Sequence, residues 1–281
     1  MNDQSFVKFN KIRTLGGMIS STVQFLGREG KPLLLTIIKA AIIPILIAIC
    51  AVIYFSFSVA EVYEETVYYE TILDLDFSGL WLPLFAYFFS YLIAQALIAS
   101  STLSYIKSYN SNRGIVNFEE VTSLIKEKFG SFVGLLFLNG LIIGFGALLC
   151  VIPGIYFGVV LSISTSLVIF QSKGVTESIN DSFGFIKNNW WDTFGILIVV
   201  HIIIWIISFI LELPIGIYEE AYEGSNILTD TVYILLLVFS NLIAFFFYVI
   251  SIIITAFIYF DIKEQYDPSS DTDVIDEIGT E

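Results

Sequence analysis

Few residues in this 281-residue chain are able to do chemistry. It holds one histidine, His201, and two cysteines, Cys50 and Cys150, so a zinc or non-haem iron site built from converging His and Cys ligands is excluded. Both cysteines sit inside apolar runs, where a small hydrophobe packs and no disulfide is suggested. Ser182 has no neighbouring His base, and no glycine-rich loop followed by Lys offers a phosphate cradle. The net charge of -14 argues against a nucleic-acid partner, which would need clustered Lys and Arg. We therefore expect no enzyme, no catalytic residue, no cofactor and no metal. What remains are four polar residues inside apolar runs: Lys39, Gln95, Asn139 and His201. Counted at 1.5 Å per residue from the nearer basic segment, each lies roughly 9 to 17 Å deep in a membrane, so the four share one layer. Such a layer serves either as interhelical hydrogen bonding or as a substrate or proton path, and Lys39 has the further option of snorkelling to the interface. His201 is expected to face the bundle interior, because an unpartnered polar ring in hydrocarbon costs several kcal/mol. Asn241, in the opposite half of its run, belongs clearly to neither account.

The elements that must position these residues are membrane spans. A hydrophobic fraction of 56% and a mean hydropathy of +0.82 place the chain among polytopic membrane proteins. The fold class expected is an all-α membrane protein with six transmembrane helices. They cover 33–57, with Pro44 as a kink; 80–106, with Trp81 and Tyr105 at the two interfaces; 131–151 and 155–170, joined by Ile152-Pro153-Gly154; 193–213, ended by Pro214; and 231–260, long enough to tilt. Gly140/Gly144 and Gly154/Gly158 offer small faces for close helix approach. Residues 1–32 form a basic segment without a signal-peptide h-region, in which Phe6, Phe9, Ile12 and Leu15 suggest a surface-lying stretch interrupted by Gly16-Gly17. The tail, 261–281, carries eight acids and one Lys and is expected to be disordered.

Two polar loops carry helical periodicity. Phe118, Val121, Ile125, Phe129 and Phe132 share one face, with Asn117 and Glu120 as a capping pair. Val175, Ile179, Phe183, Ile186 and Trp190 share another, with Trp191 beside them, while Glu177, Asp181 and Lys187 point elsewhere. Both read as cytosolic amphipathic interfacial helices. Aligning Ile125-Lys126 and Phe129 with Ile186-Lys187 and Trp190 also brings Gly134 onto Gly195, an internal repeat of surface helix plus hairpin. The N-terminal segment is a weaker third copy.

The Ile152-Pro153-Gly154-Ile155-Tyr156 run, followed by Gly174 to Trp191 with Ser182 ahead of Asn189-Trp190-Trp191, resembles a six-span bacterial family. That family includes the membrane domain attached to glycerophosphodiester phosphodiesterases and the YciC-like inner-membrane proteins. The resemblance implies a six-helix integral membrane protein without a settled activity, and the soluble phosphodiesterase domain of some relatives has no counterpart here. The expected function is a non-enzymatic scaffold or partner in envelope or lipid homeostasis, in contact with membrane lipids, with a membrane-protein partner as a further option and its oligomeric state open. The rival is a small-molecule or lipid transporter or channel that uses the polar layer.

All basic residues except Lys39 lie in 1–32, 107–130, 171–192 or 261–281, and none lies in the alternate loops. This asymmetry predicts a bacterial cytoplasmic (inner) membrane protein with both termini cytoplasmic. In a variant lacking Cys50 and Cys150, cysteines at Glu65 and Glu220 are expected to react with an impermeant maleimide in intact cells. A cysteine at Lys187 reacts only after lysis; its labelling in intact cells contradicts the orientation.

Overall fold

The computed structural model describes residues 6–66, 78–222 and 226–266. Within them the chain is all-α, with six helical stretches long and apolar enough to cross a membrane and no strand. The first helix, α1, runs unbroken from Leu15–Thr66, through Gly16-Gly17 and past Pro32 and Pro44. Its buried residues Met18, Phe25, Leu33, Ile37, Ala41, Ile45 and Ala48 form one stripe at helical spacing. Because that stripe continues through the basic segment, the packed helix begins well before the expected span at 33.

The residues ahead of α1 do not lie on a surface. Phe9 is fully buried, stacked on Phe257 at 4.3 Å and set edge-on to Phe25 at 5.3 Å and Tyr109 at 6.4 Å. Backbone groups on either side are tied down as well. Val7 N–H donates to the Tyr109 hydroxyl (2.9 Å), and Arg13 N–H donates to Asp261 Oδ1 (2.5 Å). The Arg13 guanidinium lies 4.9 Å from the Phe257 ring centre and donates back to the Phe9 carbonyl (2.9 Å). Of the expected surface-lying hydrophobes, Ile12 is the one left strongly exposed.

Helix α2, Trp81–Ser111, is exposed at Trp81 and buried almost throughout from Ala96 to Ile106. Tyr105, expected at an interface, is instead buried and donates its hydroxyl to Glu29 Oε2 of α1 at 2.5 Å. A tight turn follows, in which Gly114 adopts φ +94° and a Cβ would meet Phe6 Cβ at 2.8 Å, so glycine is required there on both counts. Helix α3 then runs from Phe118–Leu149 as one element, merging the expected surface helix with the third span. Asn117 caps it, accepting from Glu119 N–H (3.0 Å) and Glu120 N–H (3.3 Å). The Glu120 carboxylate does not reach back to the Asn117 backbone. Ser108 stands between them, donating to Glu120 (2.7 Å) and accepting from Asn117 N–H (3.0 Å).

The hairpin turns on Cys150, whose backbone is extended, and Ile152-Pro153-Gly154 forms the first turn of α4, Val151–Leu161. Proline is tolerated there because its missing N–H would have had no intrahelical partner. A Cβ on Gly154 would lie 2.9 Å from the Ala147 backbone, so this glycine permits the closest approach of α3 and α4. Of the expected small faces Gly154 is therefore the contact, while Gly140, Gly144 and Gly158 face open space. The fourth span is itself broken at Ser162-Ile163 before α5, Ser164–Phe170, whose residues from Ser164 to Ile169 are buried.

Helix α6, Val175–Ile186, is a separate amphipathic helix, and Asn188-Asn189 interrupt the chain before α7, Trp190–Ala221. The second repeat unit thus keeps the break that the first lacks. Pro214 lies inside α7 and does not end it, as a membrane helix can absorb one lost backbone bond. Helix α8, Thr231–Tyr266, extends into the expected disordered tail, where Asp261, Ile262 and Glu264 are buried. Residues 67–77 of the first acidic loop, Glu223 and tail residues 267–281 lie outside the described residues. At the acidic end Asn226 Nδ2 donates to the Ala60 carbonyl (3.2 Å) and Ser56 donates to that of Leu228 (3.1 Å), fastening the α7–α8 connection to α1.

Replacing Phe9 by Ala is expected to remove about 3 to 5 kcal/mol of stability, the cost of emptying a buried aromatic site, read as thermal unfolding in detergent. Asp230 caps α8 through Val232 and Tyr233 N–H groups, and the Tyr218 hydroxyl donates to it at 2.7 Å. That hydroxyl first, then the Tyr233 N–H, holds its carboxyl below the usual carboxylate range. Its stabilising contribution is therefore full above the ordinary Asp pKa and is lost as pH falls through the lowered value. Stability measured from pH 7 down to 3 should fall less steeply in Asp230→Asn than in the parent, and identical slopes would contradict this role.

Candidate functional site

Of the four polar residues expected in one layer, Asn139 is the best anchored. It is buried on α3 and donates from Nδ2 to Ser164 Oγ (2.8 Å), which donates onward to the Leu161 carbonyl (2.7 Å). Asn139 therefore fastens α3 to the break in the fourth span, where the helix has carbonyls to satisfy. The bond goes to a serine and to none of the other three residues. Gln95 is half-buried on α2. His201 is exposed on α7, its Nδ1 lying 2.7 Å from the Leu197 carbonyl of the same helix. This corrects the expectation that it faces the interior, because a bond to its own previous turn gives one ring nitrogen a partner without any neighbour. Lys39 is exposed on α1.

A different polar group lies outside the four-residue layer. The hydroxyls of Ser100, Ser101 and Ser104 on α2 and of Thr165 and Ser166 on α5 are buried without a hydrogen-bond partner among the described residues, as is Asn139 Oδ1. The signal was available as two hydroxyl-dense runs, 100–104 and 162–166, inside otherwise apolar spans.

The expected interfacial faces divide. Ile125 and Ile186 are buried, and Phe129, Ile179, Phe183 and Trp190 are half-buried against the core. Trp190 stacks on Phe194 at 5.1 Å and on Tyr156 at 6.0 Å. Phe118 and Trp191 remain exposed. Ser178 and Ser182, which the sequence placed on no buried face, are fully buried under α6, and Ser182 Oγ bonds the Ile179 carbonyl at 2.7 Å.

The apolar face of α3 has a further consequence. Phe118, Thr122, Ile125, Lys126 and Phe129 line one wall of a groove of about 610 Å³, and Pro32, Leu35, Thr36, Lys39 and Ala40 of α1 line the other, with Leu97 of α2 between them. The spacing on each wall is one helix face at 3.6 residues per turn. Thr36 and Thr122 spend their hydroxyls on the carbonyls four residues back (2.9 and 2.8 Å). The remaining side-chain donors are the ammonium groups of Lys39 and Lys126, and the lining contains no acid. The volume lies in the range of small-molecule sites.

No group of three or more His, Cys, Asp or Glu among the described residues is arranged to hold a metal. Comparison with protein-family models, with curated proteins and with solved structures yields no match to this chain. What stands is a six-helix, all-α integral membrane protein, and the family resemblance read from Ile152–Tyr156 and Gly174–Trp191 has no match behind it.

Asn139→Leu is expected to lower the melting temperature in detergent, by the order of a membrane hydrogen bond, about 0.6 kcal/mol, plus the cost of crowding Ser164. His201→Leu leaves it unchanged. The opposite ranking would restore His201 to the bundle interior.

Proposed function

We propose that this is a non-enzymatic scaffold of the bacterial cytoplasmic membrane, with both termini cytoplasmic, acting with lipids in envelope or lipid homeostasis. One observation carries the reading: a groove between α1 and α3 combines an apolar lining with two lysines and no acid. The basic-residue asymmetry supports the orientation, since Lys and Arg are retained on the cytoplasmic side. The resemblance to the six-span bacterial family supports the envelope setting. Exposed aromatic and aliphatic side chains along α7, among them Trp205, Phe209 and Ile210, are suited to lipid or to a membrane-protein partner.

A transporter is the second reading, and the break at Ser162-Ile163 favours it. Discontinuous spans are where transporters expose backbone groups to substrate, and partnerless hydroxyls of α2 and α5 accompany this one. Two measurements separate the readings. Native mass spectrometry of the chain purified in mild detergent is expected to retain a specific lipid or protein. Cysteines at Ser101 and Thr165 are expected to stay unreactive to impermeant reagent from both sides. Reactivity from both faces, as in a water-filled path, would favour transport and overturn the scaffold.

A further inference from the structure

We propose that the groove between α1 and α3 binds the headgroup of an anionic glycerophospholipid drawn from the leaflet at the basic end. The inference rests on the membrane placement and orientation given above and names the ligand class of that same groove. Charge is the first argument. The chain carries 27 acids against 13 basic residues, yet this lining holds two lysines and no carboxylate. Three other lysines are occupied: Lys128 pairs with Glu127 (2.9 Å), Lys173 with Asp181, and Lys107 donates to the Ile169 carbonyl (2.7 Å). Lys39 and Lys126 have no ion pair or hydrogen bond among the described residues. Two ammonium groups lining one groove with no acid among its residues favour an anion between them.

Depth is the second argument. Phe118 to Phe129 covers about 16 Å of helix, and Pro32 to Lys39 about 10 Å, so the groove extends from the headgroup region into the acyl region. Lys126 lies about 12 Å along α3 from Phe118, and its long apolar stem lets the ammonium rise toward the phosphate level. A soluble anion would leave the apolar lower part of the groove empty, whereas a lipid fills it with the start of its chains. Access comes third. Leu35 and Phe118 of the lining are 48% and 54% exposed, which leaves the groove accessible from outside the bundle.

The test uses the full chain in nanodiscs and then native mass spectrometry, with phosphatidylglycerol as the anionic probe and phosphatidylcholine as the zwitterionic one. Phosphatidylglycerol is expected to be retained preferentially, and Lys39→Gln with Lys126→Gln together should cut that retention about tenfold. Lys187→Gln, a lysine outside the groove, should not change it. Thr122→Trp, which fills the groove at unchanged charge, should cut retention as the double variant does, and melting curves on the same samples show that each variant is folded. Equal retention of the two lipids, undiminished phosphatidylglycerol in the folded double variant, or full displacement by millimolar inorganic phosphate would each overturn the proposal. Solute flux through proteoliposomes would overturn the scaffold and leave lipid retention standing. Loss of lipid preference without flux would overturn the groove ligand alone.

Discussion

The burial of Phe9 holds the basic end of this protein together. Its ring fills the space between α1, α2 and α8, in contact with Phe25, Tyr109, Phe257 and Phe260. Short of this residue, three long helices that leave the membrane at the same end would have an open seam between them. A segment without helical hydrogen bonds can be buried only if its backbone groups find partners. Tyr109 and Asp261 supply them to Val7 and Arg13. Asp261 is itself buried, and the Arg13 N–H and the Gln265 side-chain amide (2.8 Å) bond its two carboxylate oxygens. Each group thus answers a need of another.

Packing density differs along the bundle as a result. Buried side chains concentrate at the basic end, from Ala96 to Tyr109 of α2, Ser164 to Ile169 of α5 and Ile252 to Ile262 of α8. α7 is exposed over most of its length, with Thr193 and Val200 as its buried residues. Lipid is as apolar as leucine, so helices in its midst gain little by burying aliphatic faces. At the end where helices leave the bilayer, water restores the hydrophobic drive and the long helices must pack.

Span number and helical class were legible because twenty apolar residues in a row have few alternatives to a membrane helix. Cap chemistry at Asn117 was legible for the same local reason. Continuity was not. Whether α3 breaks before its span or runs through it depends on how Ser108, Glu120 and the neighbouring α2 receive its first turn, which no local pattern announces. Pro214 misled because proline marks helix ends in water, where freed backbone is solvated, and less so in a membrane bundle. His201 misled because a ring satisfied by its own helix needs no partner across the bundle. The lysine pair was half visible: Lys39 stood out as an intramembrane charge, but its neighbour Lys126 belongs to another helix and only the fold brings them to one groove.

The groove therefore depends on the strap: residues 6–13 fix the start of α1 against α2 and α8, and α1 in turn supplies Lys39. Hydrogen–deuterium exchange of the full chain in nanodiscs tests this dependence most directly, because the strap lies at the aqueous end where lipid does not shield it. The account predicts that the amides of Val7 and Arg13 exchange orders of magnitude more slowly than an unfolded chain and lose that protection in Phe9→Ala. Exchange of both at the unprotected rate in the parent chain would contradict it.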